Sequence, residues 1–263
     1  KAQTIESQLH LIVIDNDSED NSLDIIKNWK NKFYNPLTIL NYSHAIKEYD
    51  VGEKYSSIID FGFSYIQKCN DYTHIGILDS DCFLYENYYE LLIQEFNKNK
   101  NLGLTSGIPY FSQDKIGDGE RENAVRGNCM LWNRACFEDS GYVIGPSSDT
   151  LSLGLVEIRG WDAYSTKDAK LECREMGVVG DYSFYGSSAY YRGIDPFIAS
   201  IKYFRLLIKF GFNTSWKYIK GYFGSYIKGD KRLENKELRN YFSKISYKRA
   251  LQELKLSFQK NKR

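Results

Sequence analysis

Five cysteines are all that this 263-residue sequence holds, Cys69, Cys82, Cys129, Cys136 and Cys173, and no two form a C-x-x-C pair. That excludes an even disulfide framework and predicts reduced thiols, hence a cytoplasmic setting. No run of eighteen apolar residues occurs, so a bilayer-spanning segment is not expected, and no secretory leader opens the sequence. Internal repeats and low-complexity blocks are also missing. Histidine is scarce: His10, His44 and His74 are the whole set, all within the first third. His74 abuts an apolar run and reads as a packed residue, and His44 falls in a polar loop where a structural role is expected.

What is present argues for a folded enzyme-sized domain. The chain is 42% hydrophobic and 16% aromatic, with 22 tyrosines, enough to bury a sizeable core and to line clefts that are half apolar and half wet. The net charge of +1 hides a division. Residues 197–263 carry 17 Lys+Arg against 4 Asp+Glu, whereas 1–196 carry 18 against 30. An acidic front and a basic tail suggest two separate jobs.

Along the front, "LHLIVI" (9–14) is short, apolar and rich in β-branched residues, as a buried strand requires. It runs into "DNDSEDNS", whose Asp and Ser side chains can cap the helix expected at "LDIIKNW". "LTIL" (37–40) reads as a strand, 53–69 as an amphipathic helix, "HIGILDSD" (74–81) as a strand and its exit, "YYELLIQEFNKN" as a helix, and "LGLTSGIPYF" (102–111) as a strand with its exit loop. This alternation predicts an α/β domain, a mostly parallel sheet flanked by helices in the Rossmann manner. Residues 125–143 read as a strand feeding a short helix closed by Gly141. Residues 156–179 read as a loop and a helix ended by Gly177.

Ligands of such sheets sit beyond the carboxyl ends of the strands, and two acidic turns fall there: Asp15-Asn16-Asp17-Ser18 and Asp79-Ser80-Asp81. Strand alternation sends Asp79 and Asp81 to one side and Ser80 to the other. Two carboxylates without a basic partner nearby in sequence repel each other, and a divalent cation relieves that. Oxygen-only donors favour Mg²⁺ or Mn²⁺, which also take substrate phosphates as ligands.

Four stretches in order, "LIVIDNDSEDNS", "YTHIGILDSDCFL", "VRGNCMLWNRACFEDSGYV" and "RGWDAYSTKDAKLECREMG", resemble the family 2 glycosyltransferases of GT-A fold. The resemblance covers roughly residues 9–195 and implies transfer of a hexosyl group from a nucleotide-diphosphate sugar to a hydroxyl of a glycan or lipid-linked acceptor, with inversion. It implies that Asp15, and with it Asp17, contacts the nucleotide base. Asp79 and Ser80 would lie near the ribose, Asp81 with Asp79 would hold the metal, and Arg126 and Gly127 would line the sugar pocket. Asp162 would be the general base, with Asp168 as its rival. The family's late histidine has no counterpart in 181–195, so waters, Arg192 or a tyrosine would complete the diphosphate site. The family's opening strand has none either, since the sequence starts inside what reads as the following helix, "KAQTIESQL". Two rivals stand beside this reading: a metal-dependent phosphatase of the haloacid dehalogenase kind, and a degenerate, non-catalytic nucleotide-binding module.

The expected division is a catalytic domain over 1–195 and a basic helical extension over 196–263. In the extension, aromatics and lysines interleave at near-helical spacing. That suits an anionic membrane surface on the cytoplasmic face, helices packed on the catalytic domain, or a homo-oligomer contact; nucleic acid fits poorly with the acidic front.

Overall fold

A computed structural model describes residues 3–5, 9–33, 35–45, 52–111, 115–116, 124–173 and 182–260; for 110–111, 115–116 and 249–260 it describes the backbone course alone. The helix read at 1–9 and the closing Gly177 lie wholly or largely outside these residues. Packing divides the chain into two compact units, Lys1–Glu175 and Met176–Arg263.

The first unit is α/β. Strands β1 (Leu11–Asp15) and β2 (Leu37–Asn41) pair in parallel around α1 (Ser22–Lys30). Just ahead of α1 the Asp20 carboxylate accepts from the Ser22 amide at 2.9 Å. Helix α2 (Glu53–Cys69) leads to β3 (His74–Gly76), which is followed by β4 (Cys82–Leu84), α3 (Tyr88–Lys98), β5 (Leu102–Phe111) and β6 (Lys115–Ile116). Then come β7 (Leu131–Asn133), α4 (Arg134–Ser140), α5 (Ser148–Ile158) and β8 (Asp162–Cys173). The larger sheet has the order β3-β7-β5-β8-β4, with β6 on β5.

Where alternation predicts a mostly parallel sheet, this one is mixed. β3, β5 and β8 run in one direction, but β7 returns between β3 and β5, and β4 lies antiparallel on β8. β7 can reverse because it enters from a loop and not from a crossover helix. The region read as a loop and helix at 156–179 is another correction. α5 ends at Ile158, and 162–173 is a strand paired to β5 on one side and to β4 on the other. Its Ala, Lys and Glu favour helix in isolation, but two partner strands supply hydrogen bonds that outweigh such propensities.

Helices cover both faces of this sheet. On one side Phe63 of α2, Phe137 of α4 and Val156 of α5 pack on Ile75, Leu104 and Trp132. The Trp132 indole is fully buried and meets Phe63 edge-on at 5.8 Å between centroids, an arrangement worth about 1 kcal/mol beyond its area. On the other side Tyr88, Leu92 and Phe96 of α3 pack on Leu102, Leu131 and Leu171. Leu131 and Trp132 thus point to opposite faces, as neighbours in a strand must.

The second unit is helical: α6 (Tyr182–Tyr191), α7 (Pro196–Phe210), α8 (Phe212–Lys228) and α9 (Lys236–Lys260). The sequence reading put 182–191 with the catalytic domain, yet α6 packs on α8, and glycine is the reason. A Cβ on Gly186 would lie 2.0 Å from the Tyr218 carbonyl oxygen, and one on Gly221 would lie 2.1 Å from that of Ser183. The two backbones approach where neither helix carries a side chain. Among the described residues no helix is long and apolar enough to cross a membrane.

Candidate active site

The site begins where β3 runs out. The ladder to the 128–131 segment continues past Gly76, with the Ile77 amide donating to the Met130 carbonyl at 2.8 Å and the Asp79 amide to that of Asn128 at 2.9 Å. Asp79 is therefore held by backbone on the segment that contains Arg126 and Gly127. That segment is itself fixed. The Arg126 amide donates to Ser106 Oγ at 2.9 Å, and the buried Tyr88 hydroxyl donates to the Cys129 carbonyl while accepting from the Gly107 amide.

Around Asp79 three elements converge. Tyr55, in the first turn of α2, donates its hydroxyl to Asp79 Oδ1 at 2.8 Å. Asp81, exposed, follows in the turn, as does Ser80. Asp149 comes from the first turn of α5, where the helix N-terminus favours a carboxylate. Gly127 faces Asp149 so closely that a Cβ there would stand 2.7 Å from Asp149 Cβ and 2.8 Å from Oδ2. Burial pushes the Asp79 carboxyl up to about 6, the Tyr55 hydrogen bond opposes this, and the charges of Asp81 and Asp149 add to it. The Tyr55 hydroxyl is likewise pushed up, by burial first and then by the Asp79 charge.

Asp149 was missed by the sequence reading. The signal was "SSD" ahead of "TLSLGLVEI", polar capping residues before an apolar helical run. The chain pays particular care to its placement: Ser147 sits at φ +62°, Tyr142 donates to Ser148 Oγ at 2.8 Å, and the Val143 amide donates to Ser152 Oγ at 3.0 Å. A serine in the left-handed region is uncommon and marks a turn held by its surroundings.

Asp162 stands elsewhere. It opens β8 beside Leu102, its amide bonds to the Asn101 carbonyl, and its carboxylate accepts from Asn99 at 3.0 Å. Registered through Ala163, Leu104, Trp132 and Ile75, it lies about five residues below Asp79 along the strand direction, on the order of 16 Å. The expectation that Asp162 serves the same cleft does not fit this placement. Asp168 is exposed on β8. A recess of about 450 Å³ does open at the Asp162 end, lined by Tyr72, His74, Phe96, Arg134 and Trp161, but it contains none of the clustered acids.

Asp15 ends β1 and is buried. Asp17 follows at φ +54° and accepts from Ser43 Oγ at 2.5 Å. Helix α2 touches both regions, since a Cβ on its Gly62 would meet Ile14, while its Tyr55 reaches Asp79. Arg192 belongs to the second unit, its guanidinium 5.8 Å from the Phe242 ring centroid. His74 is partly buried against Phe96, and that burial lowers its pKa, in keeping with a packed residue.

Among the described residues no three His, Cys, Asp or Glu side chains group closely enough to bind a metal by themselves. A half-buried carboxylate raised first by burial and then by the charges of two other acids nevertheless suits a divalent cation that takes one or two carboxylates and completes its shell with water and phosphate oxygens. Next to the turn, Cys82 and Cys173 face each other across β4 and β8 with sulfurs 3.3 Å apart, and Asn128 Nδ2 donates to both.

Residues 1–158 match the family model described as glycosyl transferase family 2. A search of curated proteins returned no match. Among solved structures, the 1–349 piece of S. aureus TarS superposes with a TM-score of 0.51 at 11% identity, covering 87% of this chain and 85% of that one. A mannosyltransferase from Pyrobaculum calidifontis, determined with GDP-Man and Mn²⁺, gives 0.50 at 10% identity over 92% and 71%. A longer TarS structure gives 0.50 at 11% identity over 72% of this chain, which spans only 35% of its length. The fold shared with these proteins is GT-A.

Proposed function

This chain belongs to glycosyl transferase family 2, and on that premise we propose that it moves a sugar from a nucleotide-diphosphate donor to a hydroxyl of a glycan or lipid-linked glycan, with inversion and with Mg²⁺ or Mn²⁺. The single observation that carries this is the Asp79 carboxylate at the carboxyl end of β3, held by the Tyr55 hydroxyl and within electrostatic reach of Asp81 and of Asp149, which packs on Gly127. Asp15 and Asp17 face the base, and Ser80 the ribose. Asp79 and Asp81 would hold the cation, which would supply charge neutralisation for the departing diphosphate.

Asp149 takes the role first expected of Asp162. Placed in the first turn of α5, its carboxylate would accept the proton of an acceptor hydroxyl. Gly127 lets the backbone pack directly against Asp149, and it would line the donor-sugar pocket together with Arg126. Tyr55 holds Asp79 in one orientation and moderates its pKa.

A donor screen tests the reading. With Mn²⁺ present, hydrolysis of UDP-, GDP- and dTDP-sugars is expected for one base class, and Asp149→Asn lowers the rate at least a hundredfold while Asp162→Asn does not. Binding without turnover by any donor would favour the non-catalytic module. Full activity in Asp149→Asn would remove Asp149 from the mechanism.

A further inference from the structure

The second unit carries a surface for which sugar transfer has no use. From Pro196 to Lys228 the chain holds six Lys or Arg and no Asp or Glu. At 100° per residue, α8 divides into three faces. Ser215, Tyr218, Tyr222 and Ser225 are buried and share an arc of about 80°. Phe212, Trp216, Ile219, Phe223 and Ile227 share a second arc of about 80°, in which Ile227 is 82% exposed and Phe212 63%. Lys217, Lys220 and Lys228 occupy the third arc, next to the apolar one, and all three are exposed.

Helix α7 repeats the plan. Ile198, Ala199 and Leu206 are buried. Phe197, Ile201, Phe204 and Ile208 fall within an arc of about 60°, with Ile208 88% exposed. Lys202, Arg205 and Lys209 lie beside that arc, on the side of Ile198, and Lys202 Nζ stands 4.8 Å from the centroid of the buried Tyr218 ring. At the corner between the helices Phe212 and Trp216 stack at 5.9 Å and 14°, and Lys209 Nζ lies 4.9 Å from the Phe210 ring centroid.

A helix that only packs on its own protein needs two faces, one apolar and buried, one polar and wet. The third face here is apolar and wet, on two successive helices, and flanked each time by cations. We propose that α7 and α8 lie on an anionic lipid surface, their aromatic and aliphatic arcs entering the headgroup boundary and their lysines meeting lipid phosphates. Charge selects this occupant over the others. A second copy in an isologous contact would set six cations against six. Nucleic acid would satisfy the cations and leave the apolar arcs in water. A lipid surface satisfies both. This placement does not depend on the transferase reading, since it uses none of the acids of the first unit.

The test is co-sedimentation of the 263-residue chain with vesicles of phosphatidylcholine alone or mixed with phosphatidylglycerol at roughly 7:3. Binding is expected to the mixed vesicles, at least about tenfold stronger than to the neutral ones, and weakened by high salt. Ile208→Ser, Trp216→Ser and Ile227→Ser combined replace exposed side chains and are expected to cut binding about tenfold, with circular dichroism unchanged. Lys217→Glu with Lys220→Glu is expected to do the same. A second readout avoids variants: brominated lipid in the mixed vesicles should quench the tryptophan fluorescence of the unaltered chain. No binding to the mixed vesicles, retention of binding by the apolar variant, or no quenching would each overturn the proposal. So would light scattering that shows a dimer dissociated by the apolar substitutions.

Discussion

The two units treat polarity in opposite ways. The first draws charge inward: Asp15 is buried at the end of β1, and Asp79 is covered at the end of β3 with two more acids near it. The second leaves hydrocarbon outward, with Ile208 and Ile227 among its most exposed side chains. Each arrangement costs stability when the protein is alone in water. A cost kept at one place points to a missing partner, and the sign of the cost tells which kind. A half-buried carboxylate with two exposed acids near it asks for a cation, and exposed apolar arcs beside lysines ask for an anionic, partly apolar surface.

The largest expected effect is on the first unit. Asp149→Asn should lower turnover by about a thousandfold while nucleotide affinity stays within a few-fold, because a proton acceptor acts in the transition state and not in binding. Steady-state kinetics on the donor identified by the screen checks this, with Asp162→Asn near wild type as the contrast. Next, Gly127→Ala should lower turnover on the order of a hundredfold, because its Cβ would displace Asp149. If Gly127→Ala binds nucleotide normally and Asp149→Asn shows no further loss on top of it, the two act as one device.

A smaller effect follows from pH. Because the folded pKa of Asp79 is raised from 3.8 to about 6, its protonation favours the folded state. That contribution is complete below about 4 and lost as pH rises through about 6. At pH 8, without metal, Asp79→Asn should therefore stabilise the protein, by at most about 3 kcal/mol, read from denaturant melts at pH 4 and pH 8. Metal and proton compete for the same oxygen, so Mn²⁺ affinity should fall toward tenfold per unit below pH 6. Tyr55→Phe removes the hydrogen bond that opposes the rise and should move that midpoint upward. The smallest effect belongs to the second unit. Gly221→Ala should cost about 1–3 kcal/mol through its contact with the Ser183 carbonyl, in thermal melts, and leave donor affinity unchanged.

Much of this could be read from local pattern. The helix at 53–69 was expected with the bounds it has, and 102–111, read as a strand with its exit loop, is strand throughout; an apolar stripe marks the one and a mainly apolar run the other. The acids of 79–81 were legible because they interrupt such a run. What failed was non-local. "DAYSTKDAKLEC" has helix-forming residues, and only its two partner strands make it β8. With β8 misread as a helix, Asp162 could be imagined at a pocket wall, when in fact it opens a strand at the far end of the sheet. Asp149 escaped because its helix begins in a serine-rich turn whose geometry depends on Tyr142, Ser152 and a positive φ at Ser147.

Calorimetric titration of UDP, GDP and dTDP, with and without Mn²⁺, into the unaltered chain and into Asp81→Asn is the most direct trial of the acid cluster. One nucleotide should bind, with an affinity that rises at least tenfold with Mn²⁺ and loses that gain in Asp81→Asn. Equal binding with and without the ion, unaltered by the substitution, would contradict the account.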